Sequence, residues 1–330
     1  MSAKNKNKPV AVAKKAGSTN KDPGTLLKCE VDANVGSWIQ PSSCSTHFIN
    51  ADAVFPEVIF EFTSDVEGPY EWSWDIRWTA EACPQAHGKK RFKAKKSKLY
   101  TKQGKFTSNE KKWKADLGVA VGGVLTVTVK AGNLTFLRRV IILGKNPGEE
   151  KVRTELDTYL EDFKKEIAIS KKIFQQESKF RHFYSDDMPL VSFDNGYGLG
   201  QITNPEPTYE QVWNWKAHVK HVVTSFVKDL RKKSERYFSS HPGGTEDQID
   251  TETLVFYNGA NHHYHVWSET SKTWVVNVNV ICDPTQSNKG WNGVDAKNKG
   301  LSLADLQGGK GSTAVYTGRC YAEHVQNANK

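Results

Sequence analysis

"GKNPGEE", residues 144–150, separates two different hydrophobic patterns, and this separation decides the predicted fold. Glycine and proline interrupt regular structure, and the two glutamates suit the first turn of a helix, where acidic side chains interact favourably with the helix dipole. We therefore predict a domain boundary here, with strands before it and helices after it.

Before this boundary, short apolar segments alternate with polar residues at every second position. The segments are VIFEF (58–62), YEWSWDIRW (70–78), VLTVTVKA (124–131) and LRRVIIL (137–143). Such alternation gives each strand one core face and one wet face, and glycine-containing turns separate the segments. We predict an all-β, immunoglobulin-like sandwich over residues 26–146, which serves as a targeting or docking domain.

After the boundary, apolar residues recur at spacings of three and four, the period of an amphipathic helix. The predicted helices are 152–174, 209–237 and 252–257; a strand is predicted within 271–282 and a loop rich in Gly, Asn and Lys over 285–313. The chain as a whole is therefore predicted to be an α+β multidomain protein, in which a mainly α domain follows the β domain.

The 330-residue chain is long enough for two ordinary domains, each with its own buried core. A mean hydropathy of −0.62 indicates a very polar surface. The formal net charge of +9 and the pI near 9.1 favour anionic partners, such as nucleic acid, an anionic lipid surface or an acidic cell-wall polymer. Charge alone does not choose among these partners.

Lysines and aromatic residues interleave between the predicted strands, in GKKRFKAKKSKLYTKQGKFTSNEKKWK (88–114). Such a stretch suits the binding of nucleic-acid phosphates and bases. It also suits an edge hairpin whose lysines deter pairing with other strands, which is the interpretation that we favour. We therefore do not expect nucleic acid as a partner, whereas attraction to an anionic cell envelope is compatible with either structure.

The first residues are basic and carry only a short apolar segment, residues 10–13. That segment is too short for a secretory signal or a membrane span, so we predict a disordered basic tail over residues 1–25, without a Sec-type signal. Five cysteines without a CxxC pair indicate neither zinc binding nor thiol redox chemistry. We expect most of them to be buried, with Cys282 and Cys320 as the favoured pair in an oxidising compartment.

Three segments are weak separately but carry a pattern together: QQES (175–178), NGYGLGQIT (195–203) and VFYNGA (255–260). Their order and spacing resemble the lytic transglycosylase branch of the lysozyme-like superfamily. In that family a Glu-Ser pair ends a helix, a glycine-rich turn follows, and a helix with a Tyr-Asn pair closes the cleft. GRCYAEHVQNAN (318–329) is similar to the family's last helix. The resemblance implies a lysozyme-like fold for residues 147–330.

The resemblance also implies cleavage of the β-1,4 bond between N-acetylmuramic acid and N-acetylglucosamine in peptidoglycan. Breaking this bond requires a carboxylic acid that is still protonated near neutral pH, and partial burial against apolar residues raises a glutamate's pKa into that range. Glu177, flanked by apolar side chains, is the predicted catalytic acid. The substrate-binding residues that the resemblance implies are Tyr197, Gly198, Gln201, Tyr257 and Asn258.

A hydrolysing enzyme of this kind needs a second carboxylate as base, and Asp194 is the best candidate. DNGYGLGQ (194–201) is also similar to goose-type lysozymes, but Thr203 stands where those enzymes carry an aspartate. This departure favours a single-acid mechanism, in which Glu177 protonates the glycosidic oxygen and then removes the proton of the C6 hydroxyl, which attacks C1. The product would carry a 1,6-anhydromuramoyl end.

NHHYHVW (261–267) places His262, His263 and His265 close together, as zinc ligands can be. No second ligand group of the HExxH kind accompanies them, so we predict no metal site. The proposed reaction needs no cofactor, and none is predicted.

The resemblance places the substrate outside the cytoplasmic membrane, although no Sec-type signal is predicted. We therefore expect synthesis in the cytoplasm and action in the periplasm or cell wall, after export by a type VI or similar secretion device, by a phage tail or by lysis of the producing cell. An antibacterial effector, with an immunity protein as partner, is the interpretation that we favour. The alternatives are a goose-type-like lysozyme, a chitinase-like lysozyme acting on another N-acetylated polymer, and a non-catalytic protein that binds saccharide or anionic polymer.

Overall fold

The computed structural model describes residues 27–30, 37–81, 86–87, 90–91 and 97–328. Within these residues every regular element up to Gly144 is a strand, and every helix begins at or after Glu149. The predicted α+β organisation is therefore confirmed, and the change of periodicity falls within the segment that predicted it. The predicted basic tail and Cys83 lie outside the described residues.

Strands of the N-terminal region whose burial is described, above all the longer ones, follow the predicted alternation of more and less buried residues. In chain order, the region's described strands are β1 (Ser37–Gln40), β2 (Thr46–Ile49), β3 (Ile59–Thr63), β4 (Tyr70–Ala80), β5 (Ala86–His87), β6 (Lys90–Arg91), β7 (Lys98–Ser108), β8 (Lys112–Lys114), β9 (Gly123–Ala131) and β10 (Leu134–Gly144). The four strands predicted from the sequence correspond to β3, β4, β9 and β10, because these carry the clearest alternation.

Two sheets of this region pack against each other through aromatic side chains. One sheet has the order β2-β10-β9-β4-β7, with β2 and β10 parallel, and the other has the order β1-β3-β8. Phe62 of β3 lies 5.6 Å from Trp72 of β4 and 4.7 Å from Phe136 of β10, measured between ring centroids. Trp38 of β1 contacts Trp72 edge-on at 6.5 Å. Large rings thus fill the space between the sheets.

The described part of the lysine-rich stretch supplies edge strands to both sheets. β7 is the edge of the five-stranded sheet and β8 is the edge of the three-stranded sheet. The prediction of a lysine-rich edge is confirmed for the described residues of this stretch, and β7 pairs antiparallel with β4 along its whole length. Between Ser108 and Lys112 the chain crosses to the other sheet, so β8 is a second edge strand outside that antiparallel pair.

The C-terminal region is built from helices with a few short strands. Its elements are α1 (Glu149–Asp157), α2 (Leu160–Ser178), α3 (Tyr209–Trp213), α4 (Trp215–His221), a π-helical segment (Val222–Val227), α5 (Lys228–Phe238), α6 (Glu246–Tyr257), β11 (His265–Ser268), β12 (Thr273–Val276), β13 (Val280–Cys282), β14 (Lys289–Asn292), α7 (Leu303–Gln307), β15 (Val315–Tyr316) and α8 (Gly318–Ala328). None of the described helices combines the length and apolarity needed to cross a membrane.

The predicted helix 209–237 is interrupted near its start. Asn214 adopts an extended backbone conformation between α3 and α4, and its side chain accepts hydrogen bonds from the amides of Lys216 and Ala217. Asparagine favours this capping position because its side chain replaces the missing intrahelical acceptor. The predicted loop 285–313 also contains regular structure, namely β14 and α7, whose short lengths leave no clear periodicity.

The two regions of the chain share a buried core. Trp213 of α3 packs edge-on against Trp78 of β4 at 5.3 Å, and Tyr209 stacks on Tyr100 of β7 at 5.4 Å. A side chain at Gly144 would come within 2.3 Å of the Phe183 ring, so glycine is required for this close approach. The β region therefore supports the segment around residue 183 directly.

Two disulfide bonds are present among the described residues. Cys282 of β13 pairs with Cys320 of α8, as predicted for an oxidising compartment, and Cys29 pairs with Cys44. The second pair corrects the expectation that most cysteines are free and buried. The separation of 15 residues between Cys29 and Cys44 did not predict this bond, because spacing alone does not determine which cysteines pair.

Candidate active site

A cleft of about 1170 Å³ opens in the helical region. Its walls come from the C-terminal end of α2, the segment 192–205, the π-helical segment with α5, and the C-terminal end of α6. Tyr316 and Tyr321, from β15 and α8, also line the cleft, as do Ser287 and Asn288. Parts of the chain that are distant in sequence therefore meet at one surface.

Glu177 lies in the last turn of α2 and lines this cleft. Its side chain is half-buried, while Phe174 and Phe180 beside it in the sequence are fully buried. Burial raises the pKa of the Glu177 carboxyl, and the nearby charge of Asp194 raises it further, whereas the hydrogen bond from Tyr321 opposes the shift. The net result is a carboxyl whose pKa lies above its ordinary value.

Tyr321 is the hydrogen-bond partner of Glu177. Its hydroxyl donates to Oε1 of Glu177 at 2.6 Å. Burial raises the pKa of the Tyr321 phenol well above its usual value, so it remains a neutral donor. Tyr321 was not predicted as a site residue, although it lies in the segment 318–329 that resembles the family's last helix. That resemblance is to a helix pattern and not to a chemical motif.

Tyr257 joins α6 to the glycine-rich turn. Its ring stacks on that of Tyr321, with 5.6 Å between centroids, and its hydroxyl donates a hydrogen bond to the carbonyl of Gly200. Burial, with the charges of Glu177 and Asp194, raises the pKa of Tyr257 well above its ordinary value. The side chain lines the cleft beside Asn258, which ends α6. Both residues are thus where a substrate could contact them.

The glycine-rich turn folds back on itself beside the cleft. Tyr197 and Ile202 exchange backbone hydrogen bonds of 3.2 Å, and the amide of Gln201 donates its Nε2–H to the Gly198 carbonyl at 2.8 Å. Gly198 has a φ of 62°, a left-handed conformation that glycine adopts without strain. Gln201 lines the cleft as predicted.

Two buried histidines hold the turn from behind. The amide of Leu199 donates to Nδ1 of His182 at 3.4 Å, and the amide of Gly200 donates to Nε2 of His218 at 3.1 Å. Burial lowers the pKa of His182 to about 4 and that of His218 well below its ordinary value, so both rings are neutral acceptors. Neither was predicted, because single histidines without a motif carry no signal of this role.

Asp194 also lines the cleft, in the turn before the glycines. Its Oδ1 accepts a 2.5 Å hydrogen bond from the hydroxyl of Ser192, and the same hydroxyl accepts the amide of Gly196 at 2.7 Å. The carboxylate is therefore held in place by its own turn. It faces the same cleft as Glu177 and raises the pKa of that residue.

Two predicted substrate-binding residues lie elsewhere. Tyr197 is fully buried, and its ring packs edge-on against Tyr100 of β7 at 6.0 Å, in the core shared with the β region. Gly198 packs against His182, where an added Cβ would come within 2.5 Å of the ring. Neither residue is among those that line the cleft.

The histidine cluster is a structural anchor. Glu252 is fully buried on α6 and accepts a 2.5 Å hydrogen bond from Nδ1 of His263, together with the amides of Tyr264 and His265 at 3.2 and 3.3 Å. Burial alone would raise the pKa of Glu252, but these hydrogen bonds hold it below its ordinary value. In the described part of the chain, no group of three or more His, Cys, Asp or Glu residues is placed to hold a metal ion.

Comparison of the chain with protein-family models, with curated proteins and with solved structures found no match in any of the three. Inference about activity therefore rests on the site itself. That site combines one half-buried carboxyl of raised pKa, a neutral phenol bonded to it, a second carboxylate and an open cleft. Such an arrangement is suited to general acid and base catalysis on a polar ligand.

Proposed function

We propose that the protein is a lytic transglycosylase that cleaves the β-1,4 bond between N-acetylmuramic acid and N-acetylglucosamine in peptidoglycan. The observation that carries this proposal is the Glu177 carboxyl, half-buried in a large open cleft with a raised pKa. A cleft of about 1170 Å³ exceeds the usual size of a small-molecule site, ~300–1,000 Å³, and suits part of a polymer chain.

In the first step, the protonated Glu177 carboxyl donates its proton to the glycosidic oxygen. The bond between C1 of the muramic acid residue and that oxygen breaks, and the glucosamine leaves with a free hydroxyl. An unprotonated sugar oxygen is a poor leaving group, so this step needs a proton donor. The raised pKa of Glu177 keeps its carboxyl protonated for this purpose. Positive charge develops at C1 of the remaining sugar.

In the second step, the Glu177 carboxylate removes the proton from the C6 hydroxyl of the same sugar, and O6 forms a bond to C1. The acid is regenerated, no water is consumed, and the product carries a 1,6-anhydro ring. One carboxyl thus serves as acid and then as base. The Tyr321 hydrogen bond would orient it in both steps, since a phenol donor can bond to either form of the carboxyl.

Three further residues would position the saccharide. Gln201, Tyr257 and Asn258 line the cleft around Glu177 and carry amide or hydroxyl groups suited to sugar hydroxyls and N-acetyl groups. The Tyr257 hydroxyl donates a hydrogen bond to the Gly200 carbonyl, so the hydroxyl oxygen can still accept a hydrogen bond from the saccharide. The buried histidines behind the turn keep these groups in a fixed geometry.

One observation favours a second candidate, a hydrolase of the goose-type lysozyme kind. Asp194 shares the cleft with Glu177, and in an inverting hydrolase it would activate the water that attacks C1. Thr203, which also lines the cleft, stands where goose-type enzymes carry another aspartate, and for this reason we rank the transglycosylase first.

We further propose a lysozyme-like fold for residues 147–330 and an immunoglobulin-like fold for residues 26–146. Supporting the first, the ends of α2, α6 and α8 meet the glycine-rich turn at one cleft, in the order that the resemblance implies. Supporting the second, two sheets pack through their aromatic faces. The two disulfides are compatible with action in an oxidising compartment outside the cytoplasm.

Mass spectrometry of muropeptides released from purified peptidoglycan tests the choice between these two activities. We expect products with 1,6-anhydro ends from the wild type and from Asp194→Asn. Products with reducing ends, released by the wild type and lost in Asp194→Asn, would overturn the transglycosylase and establish the hydrolase.

A further inference from the structure

A charged stripe on α5 forms one wall of the cleft. It consists of Asp229, Lys232, Lys233 and Arg236, which all line the cleft. Spacings of three and four residues place these side chains on one face of the helix. At ~1.5 Å per residue the stripe extends about 10 Å from Asp229 to Arg236. It therefore borders a substantial length of any polymer bound there.

Positive charge is in excess on this stripe. The Lys232 ammonium lies 3.9 Å from the carboxylate of Asp229. Within residues 97–328, Lys233 and Arg236 form no ion pair, and Arg236 donates a 3.4 Å hydrogen bond to the carbonyl of Lys232. Both side chains are exposed. Two cations are therefore available to an anionic group on a ligand in the cleft.

The other carboxyl groups of the cleft have partners of their own. Asp194 accepts a hydrogen bond from Ser192, and Glu177 accepts one from Tyr321. Within residues 97–328, no ion pair joins either carboxyl to Lys233 or Arg236. The positive charges of the stripe can therefore interact with a ligand in the cleft. The net charge of +9 on the chain attracts anionic ligands at longer range.

We propose, resting on the proposed function, that Lys233 and Arg236 bind carboxylate groups of the peptide stems carried by muramic acid residues. A guanidinium binds a carboxylate through two parallel hydrogen bonds, and a lysine adds a mobile point charge. N-acetylglucosamine offers no anionic group to these residues, whereas a free stem does. The protein therefore prefers glycan strands with free stem carboxylates to strands whose stem carboxylates are amidated.

The test compares two soluble glycan oligomers that differ only in charge, one with free stem carboxylates and one with the same groups converted to carboxamides. Cleavage is followed as kcat/KM, at low and at high salt. The test variant is Lys233→Gln/Arg236→Gln. The control variant is Lys297→Gln/Lys299→Gln, which removes the same charge from exposed residues that do not line the cleft.

We expect the wild type and the control to cleave the free-carboxylate oligomer about 3- to 10-fold more efficiently, as two partly exposed ion pairs allow, with the preference reduced by salt. The test variant should lose this preference. Equal efficiency of the wild type on both oligomers, or a preference retained by the test variant, would overturn the inference.

Equilibrium binding of the two oligomers to Glu177→Gln separates this inference from the proposed function. A preference for free carboxylates in binding, abolished by adding Lys233→Gln/Arg236→Gln, supports the stripe whether or not any bond is cleaved. Cleavage of both oligomers with no preference in binding would instead retain the proposed function and refute the stem-binding role.

Discussion

The hydroxyl of Tyr321 donates a 2.6 Å hydrogen bond to Oε1 of Glu177 and so connects α8 with the end of α2. These residues are separated by 144 positions in the sequence. The bond stabilises the carboxylate form, while burial and Asp194 favour the protonated form. The pKa of Glu177 therefore depends on a balance that single substitutions can shift.

Tyr321→Phe should raise the pKa of Glu177 further, because it removes the only one of these three influences that favours the carboxylate. A hydrogen bond to a charged group stabilises that charged form, so its loss disfavours the carboxylate. Activity needs the protonated acid, so the alkaline limb of the kcat/KM pH profile should move to higher pH. Tyr159→Phe, which removes a hydrogen bond to Glu155 outside the cleft, is the matched control and should leave the profile unchanged.

The buried histidines predict an acid-sensitive fold. His182 has a pKa of about 4 in the folded protein against 6.5 as its ordinary value. Between these values the unfolded chain binds more protons, so stability is complete above about pH 6.5 and decreases as pH falls toward 4. The difference corresponds to on the order of 3 kcal/mol. Thermal melting from pH 7 to pH 4 should show this loss, and His182→Gln should reduce the slope of melting temperature against pH.

The disulfide Cys282–Cys320 should influence activity as well as stability. Cys320 precedes Tyr321, so this bond fixes the helix turn that presents the phenol to Glu177. We expect Cys282→Ser/Cys320→Ser to lower stability by about 2–4 kcal/mol and to reduce kcat of the folded protein. Cys29→Ser/Cys44→Ser removes the other bond, which lies in the β region where the amide of Cys44 bonds to the carbonyl of Arg139, and should lower stability only. Equal kcat values for the two double variants would contradict this distinction.

Gly198→Ala should be more harmful than the same change at a left-handed glycine in open space. At Gly198 the added Cβ would lie 2.5 Å from the His182 ring, whereas at Gly118, with a φ of 70°, it would meet no atom within 4 Å. Gly118→Ala therefore adds only backbone strain, about 1 kcal/mol. Urea unfolding should show a clearly larger loss of unfolding free energy for Gly198→Ala than for Gly118→Ala. Comparable losses would show that the His182 ring moves aside at little cost.

Some features of the fold were predictable from local pattern. The alternation in β4 and β9 reports a buried face directly, and the glycine, proline and acidic residues of 144–150 mark the change to helices. Asn214 was missed because the apolar spacing continues across it, although asparagine is a strong capping residue. Helical periodicity reports which face is buried, not whether the helix is continuous.

The site was predictable only where a motif accompanied the chemistry. Glu177, Gln201, Tyr257 and Asn258 lie in quoted motifs and all line the cleft. Tyr197 is in the same motif but points into the core, since the direction of a side chain in a turn depends on tertiary packing. Tyr321, His182 and His218 contact site residues that are distant from them in the sequence. A single sequence does not reveal such contacts.

The most direct test of the central claim compares Glu177→Gln with the wild type on purified peptidoglycan, with Glu161→Gln, an exposed glutamate of the same helix, as control. Released muropeptides are measured by mass spectrometry, and circular dichroism establishes that all three proteins are folded. We predict 1,6-anhydromuropeptides from the wild type and from Glu161→Gln, and none from Glu177→Gln. Release by Glu177→Gln at the wild-type rate, or no release by the folded wild type, would contradict the claim that Glu177 is the catalytic acid.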